Sequence, residues 1–216
     1  MLISHRMKFI YTKTYKTAST SVESYFEPYC MPEGAWCFSH QRDEYVSHTG
    51  VIGYRGRDIR GKQWFNHMPA SAIRKHVDDS TWDDYFKFCV VRNPFDKLIS
   101  GFFYFGGDRG ARQDVVSRFR RWVRHAPLVD RDKYRIDGQV CLDYFIKYEH
   151  LLSGIKYVCA SLGIPFEPER IPKLKVGTRN REIMAEELYD NATIRVVEKL
   201  FEFELNQFDY QFGQFT

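Results

Sequence analysis

Residues 13–26 read KTYKTASTSVESYF, with two lysines and five aliphatic hydroxyls in the first nine positions. They follow a short apolar run, MKFIYT at 7–12, and lead into Val22, Tyr25, Phe26 and Tyr29 at helical spacing. A strand, a short loop and a helix in that order can hold an anion. The first amides of the helix have no carbonyl partner behind them, and the helix dipole adds partial positive charge. Thr17, Ala18, Ser19, Thr20 and Ser21 are small enough to let an anion reach the backbone, and Lys16 adds a full charge. Lys13 lies further from the small residues, so it is the weaker candidate for that charge and reads as solvated. The same stretch also fits an ordinary capped helix start, with Thr20 as cap and Glu23 three residues on. On this stretch alone both readings stand.

The loop is not a Walker loop. No glycine stands in YTKTYKTASTS, and the lysine precedes the small residues instead of following glycines. This disfavours a magnesium–nucleoside triphosphate. No acidic cluster has metal-ligand spacing, so no metal is expected.

The second chemical feature is at mid-chain. FKFCVVR at 86–92 is the clearest strand, and Asn93 and Pro94 suit the cap and first position of a helix through FDKLISGFFYF. Arg92, at the strand end, offers a planar fork of donors that suits a phosphate better than lysine does. Its structural alternative is a salt bridge at that strand end. Ser100 falls about two turns into the helix, as a hydroxyl donor or as a small packing residue.

Together, KTASTS after a first strand and VVRNPFDKLISGFF resemble the sulfotransferases that use 3′-phosphoadenosine 5′-phosphosulfate (PAPS). The likeness is strongest to the branch of carbohydrate sulfotransferases and their bacterial and viral relatives. FIKYEHL, IPKLKVGTRNR and FELNQFDYQF resemble that family's C-terminal part, while residues 30–63 and 106–136 contribute little. The resemblance implies a fold close to that of the P-loop nucleotide kinases. It implies that the first motif holds the 5′-phosphosulfate and that Arg92 and Ser100 hold the 3′-phosphate. Lys16 would neutralise charge on the departing bridging oxygen; Lys175 and Arg179 would meet the adenine and 3′-phosphate, or else belong to a solvated surface loop. Sulfuryl transfer is an in-line displacement, so positioning and charge stabilisation should dominate, with a base for the acceptor hydroxyl. Of seven histidines, His67 in WFNHMPASAIR is favoured because the family carries a base in a comparable segment, and His48 is its rival. The acceptor is expected to be a hydroxyl on a glycan or small molecule. The arginine-rich face of residues 112–124 is either solvated or a greeting surface for an acidic glycan.

The elements that must position these residues alternate between strand and helix. The expected fold is α/β: a mostly parallel central sheet flanked by helices, in a single domain over residues 1–216. HMPASAIRKHV reads as a loop entering a helix, DVVSRFRRWVRH as an amphipathic helix, and VCLDYFIKYEHLLSGIKYVCASLGI as helix, strand and a helix ending at Gly163. NATIRVVEKLFEFELNQF reads as one last amphipathic helix. A net charge of +4 permits an anionic ligand without suggesting nucleic acid. The five scattered cysteines suggest reduced thiols in a cytoplasmic protein, and no apolar run is long enough to span a membrane. Two competing functions remain: a kinase-like nucleotide-binding protein, and a non-enzymatic module binding acidic glycan or nucleic acid.

Overall fold

The apolar N-terminal segment makes two strands where the sequence predicts one. β1 (Leu2–Ser4) turns back into β2 (Phe9–Tyr11), pairing Ile3 with Ile10. With β3 (Tyr45–Ser47), β4 (Gly50–Ile52), β5 (Phe86–Val91) and the last strand of this sheet at Tyr144–Lys147, they form a six-stranded sheet. Its order is β3-β4-β1-β2-β5 and then Tyr144–Lys147. The computed structural model describes residues 1–107, 111–125, 128–172 and 183–215. The chain divides into two compact units, Met1–Val91 with Asp130–Leu174 and Arg92–Val129 with Lys175–Thr216.

The α/β class and the helix-flanked central sheet agree with the sequence, but the sheet is mixed, not mostly parallel. β5 pairs in parallel with β2 and with Tyr144–Lys147, whereas β1–β2, β1–β4 and β3–β4 are antiparallel. β1–β2 and β3–β4 are joined by tight turns, which return a strand antiparallel, whereas the parallel neighbours of β5 are reached by long crossovers.

Alternation along these short strands builds a core on each face. Leu2, Phe9, Tyr11, Ile52, Phe88 and Val90 pack with Val22, Tyr25 and Phe26 of α1 (Ser19–Phe26). Ile3, Ile10 and Val51 pack on the other side with Trp64, Met68 and with Ala70 and Ile73 of α2 (Ala70–His76). Trp82 of α3 (Asp79–Asp84) completes that second cluster. Burying each large apolar side chain contributes about 1.5–3 kcal/mol, so three-residue strands suffice when both faces are covered.

In the second unit, Asn93 caps α4 (Pro94–Tyr104), and α5 (Arg112–Val123) falls where the sequence predicts an amphipathic helix. Where the sequence reads a helix from Val140, no helix forms; Val140 instead ends a hairpin of the first unit, β6 (Arg135–Ile136) with β7 (Gln139–Val140). Asp137 and Gly138 both take positive φ, 50° and 80°, the Asp-Gly signature of a tight hairpin turn. The strand Tyr144–Lys147 is then β8, and α6 (Leu151–Leu162) ends on left-handed Gly163 as expected. The final helix is divided at Phe201 into α8 (Asn191–Leu200) and α9 (Glu202–Phe208), after a short α7 (Ala185–Leu188). Within that unit, Tyr189 meets Phe95 and Phe119 edge-on and donates its hydroxyl to the Phe95 carbonyl at 2.7 Å. Among the described residues no helix is long and apolar enough to cross a membrane. The five cysteines form no disulfide.

Candidate functional site

The β2–α1 junction is fixed on β5 at its root. The Thr12 amide donates to the Phe88 carbonyl at 3.0 Å, and the Thr14 hydroxyl donates to the Val90 carbonyl at 2.5 Å while meeting the Thr17 hydroxyl at 2.8 Å. The chain then does without glycine what such loops usually do with it. Lys16 (φ 58°) and Ala18 (φ 54°) are left-handed, with Thr17 between them at negative φ. Each left-handed non-glycine residue costs roughly 1–2 kcal/mol. Backbone of alternating hand gathers successive amides toward one concavity, a shape suited to anions. Ala18 starts α1 with no side-chain cap, and its carbonyl accepts from the Val22 amide at 3.2 Å. The capping box of Thr20 and Glu23 does not form, because Glu23 is turned inward.

Glu23 belongs to a buried ion cluster that holds the loop from behind. Lys13, expected in solvent, is 1% exposed, and its Nζ donates to Glu23 Oε2 at 2.5 Å. Arg55 Nη1 donates to Glu23 at 2.5 Å and also to Glu27, whose other oxygen accepts from Arg42 (3.1 Å) and Trp36 (3.0 Å). The Met1 amino group donates to Glu23 Oε1 at 2.9 Å. Burial alone would raise the Glu23 pKa, but Lys13, the Met1 amino group and Arg55 overrule it and hold the carboxyl well below the usual range. Lys13 is therefore a structural cation. Arg55 also donates to the Ser39 and His40 carbonyls (2.7 and 3.0 Å), tying the unreadable segment after Cys30 onto α1. Further along the loop, the Tyr15 amide donates to both carboxylate oxygens of buried Asp130, at 3.1 and 3.0 Å.

His67 is brought to this loop. Its Nδ1 lies 3.1 Å from the Lys13 carbonyl, and its ring stacks on Tyr15 with centroids 3.9 Å apart and planes 15° from parallel. A carbonyl only accepts, so Nδ1 carries the proton and Nε2 keeps its lone pair. Burial, and then the Lys13 charge, push the imidazole down to about 3. His67 is thus neutral throughout the physiological range. The rival His48 sits exposed in the turn between β3 and β4. His76 is hydrogen-bonded to its own helix at Ala72, as a structural histidine would be.

In the second unit, the Arg92 guanidinium donates Nε (2.9 Å) and Nη2 (2.5 Å) to Asp96 Oδ2, whose side chain is 1% exposed. The salt-bridge reading of Arg92 is realised, and it holds the guanidinium in one orientation. Ser100 lies one turn beyond Asp96 on the same helix face and is partly buried. The arginine face of α5 is largely engaged: Arg120 donates to the Leu188 and Tyr189 carbonyls (3.1 and 3.4 Å), Arg112 pairs with Glu187, and Arg118 donates to the Gly107 carbonyl at 2.9 Å. These bonds tie α5 to its neighbours and weaken the glycan-greeting reading. Lys175 and Arg179 lie outside the described residues. Among the described residues no group of acidic, histidine or cysteine side chains is placed to hold a metal ion.

Sheet and junction together define an α/β protein whose first strand-to-helix loop has the build of an anion cradle. The chain belongs to the sulfotransferase family, whose model matches residues 1–211. It is therefore an enzyme of sulfuryl transfer by family. A protein of Archaeoglobus fulgidus described as uncharacterized is 30% identical over 107 residues, covering 46% of this chain and 86% of its own length.

Proposed function

We propose that this enzyme moves the sulfuryl group of PAPS to a carbohydrate hydroxyl by in-line displacement, with His67 as the base. The observation that carries this reading is the β2–α1 junction: a glycine-free loop in glycine-like conformations, with a tautomer-fixed histidine bonded to it. The donor supplies the activated sulfuryl group and leaves as a bisphosphate. The first amides of α1, with Thr17, Ala18, Ser19, Thr20 and Ser21 around them, suit the phosphosulfate end. Lys16 neutralises charge at the bridging oxygen, and Nε2 of His67 takes the proton of the attacking hydroxyl. Arg92 and Ser100 serve the 3′-phosphate, and Lys175 and Arg179 the adenosine end. A carbohydrate acceptor follows from the resemblance of the loop and mid-chain motifs to that branch. Five scattered cysteines with no disulfide among them suit a reducing, cytoplasmic setting.

Thermal melting tests the donor. A ligand of the native state raises the melting temperature, so 3′,5′-phosphoadenosine should stabilise the protein and ATP with magnesium should not. The opposite pattern overturns the reading in favour of a nucleotide-kinase-like protein. Transfer of labelled sulfuryl groups to a panel of polysaccharides and small hydroxyl compounds then tests the acceptor class.

A further inference from the structure

The turn at 130–133 touches the loop residue Tyr15 twice, from more than a hundred positions along the chain. The Asp130 carboxylate, 2% exposed, accepts the Tyr15 amide with both oxygens. Lys133 Nζ lies 5.8 Å from the Tyr15 ring centroid. Lys133 is itself held there, by its amide donating to the Asp130 carbonyl at 2.8 Å and by its Nζ pairing with Asp132. Tyr15 in turn lies flat against His67. The contacts therefore run from Asp130 through Tyr15 to the imidazole.

We propose that Asp130 is a positioning residue for sulfuryl transfer: by gripping the Tyr15 amide it keeps the Tyr15 ring against His67 and the imidazole bonded through Nδ1 to the Lys13 carbonyl. This rests on the reading of His67 as base. A histidine ring turns through a broad torsional well about its Cβ–Cγ bond, so one hydrogen bond at 3.1 Å leaves it room to rock. A flat ring at 3.9 Å removes that room. The grip is charge-assisted, and without it the half-buried Tyr15 amide would be a poorly satisfied donor. Tyr15 also immediately precedes left-handed Lys16, so the same bond fixes where the loop enters its strained turn.

The experiment is a long-range proton–nitrogen correlation spectrum of the full-length chain at pH 7, which reports the ring nitrogen that carries the proton. His67→Gln identifies the His67 signals. Wild type should show the Nδ1–H form, and Asp130→Asn, which keeps an acceptor oxygen, should match it. Asp130→Ala should show a mixture of the two tautomers. Should Asp130→Ala fail to fold, Tyr15→Leu keeps the amide bond, removes the plate and should give the same mixture. An unchanged Nδ1–H form in Asp130→Ala, or in Tyr15→Leu where that variant stands in for it, overturns the role. Melting with 3′,5′-phosphoadenosine runs beside it: no stabilisation of wild type sinks the functional reading whatever the spectrum shows. Stabilisation with an unmoved tautomer sinks the positioning role alone.

Discussion

The β2–α1 and β5–α4 junctions are built in opposite ways. Where β2 enters α1, the helix starts on left-handed Ala18 with no side-chain cap, and the nearby charges of Lys13, Glu23 and Arg55 are spent inside the protein. Where β5 enters α4, Asn93 caps the Phe95 amide at 3.0 Å, Pro94 takes the first helical position, and Arg92 carries the charge. The first junction has no side-chain cap and must hold a costly backbone shape; the second caps the Phe95 amide and carries an oriented guanidinium. An anion can be met by main chain or by side chain, and the two solutions make different demands on the surrounding fold. The main-chain solution needs rigid support from behind, which the Glu23 cluster gives. The side-chain solution needs an oriented guanidinium, and Asp96 helps to hold it.

The largest effect that would separate the junctions is on turnover. Lys16→Ala should lower the sulfuryl transfer rate by about 10²–10³-fold, the scale of losing one transition-state donor, while the circular-dichroism melting curve stays near wild type. Normal turnover would remove Lys16 from the chemistry. His67→Gln should cost about 10²-fold or more in transfer rate. It should also change the acid side of the stability profile. The folded imidazole titrates near 3 and an unfolded one near 6.5, so the unfolded chain binds the extra proton between those values. Wild type should therefore lose stability relative to the variant as pH falls from about 6.5 toward 3; parallel melting curves from pH 7 to 4 would refute the buried neutral state.

At the second junction the effects are on binding and folding. Arg92→Lys keeps the charge and loses the fork, and calorimetry should find 3′,5′-phosphoadenosine bound about tenfold more weakly. Arg92→Ala removes a cation paired with the buried Asp96 carboxylate and should destabilise by about 3 kcal/mol, which Asp96→Asn in the same chain should partly restore. Asn93→Ala removes a cap together with the side-chain donations to the Gln211 and Gln214 carbonyls, and should cost about 1–2 kcal/mol in denaturant melts. The smallest effect has the opposite sign: Ala18→Gly relieves a left-handed alanine and should raise stability by up to about 1 kcal/mol.

The same contrast shows what a sequence can reveal. The α4 junction was legible because its signals are local: a β-branched run, then Asn-Pro, then a helical period. The α1 junction was legible as an outline, small residues and a lysine between strand and helix, but not in its supports. Glu23 reads as a capping residue until Arg55, 32 positions later, is known to reach it. Lys13 reads as a solvated cation for the same reason. Asp130 carries no local mark at all, since only the fold brings it to Tyr15. The mixed sheet escaped notice because a three-residue strand such as β1 has too few positions to show alternation. The Asp137–Gly138 hairpin did carry a turn signal, which the apolar residues around it obscured.

The left-handed pair at Lys16 and Ala18 has one more consequence, for the speed of ligand capture. A glycine loop is supple in the empty protein and must be frozen when its ligand arrives, so ordering entropy is charged against affinity at that moment. Here the awkward backbone is set during folding and clamped by Val90, Asp130 and Glu23. On the proposed reading, the arriving anion finds its seat already shaped. Association in a stopped-flow trace should then be a single phase, linear in ligand concentration, with no slow rearrangement behind it.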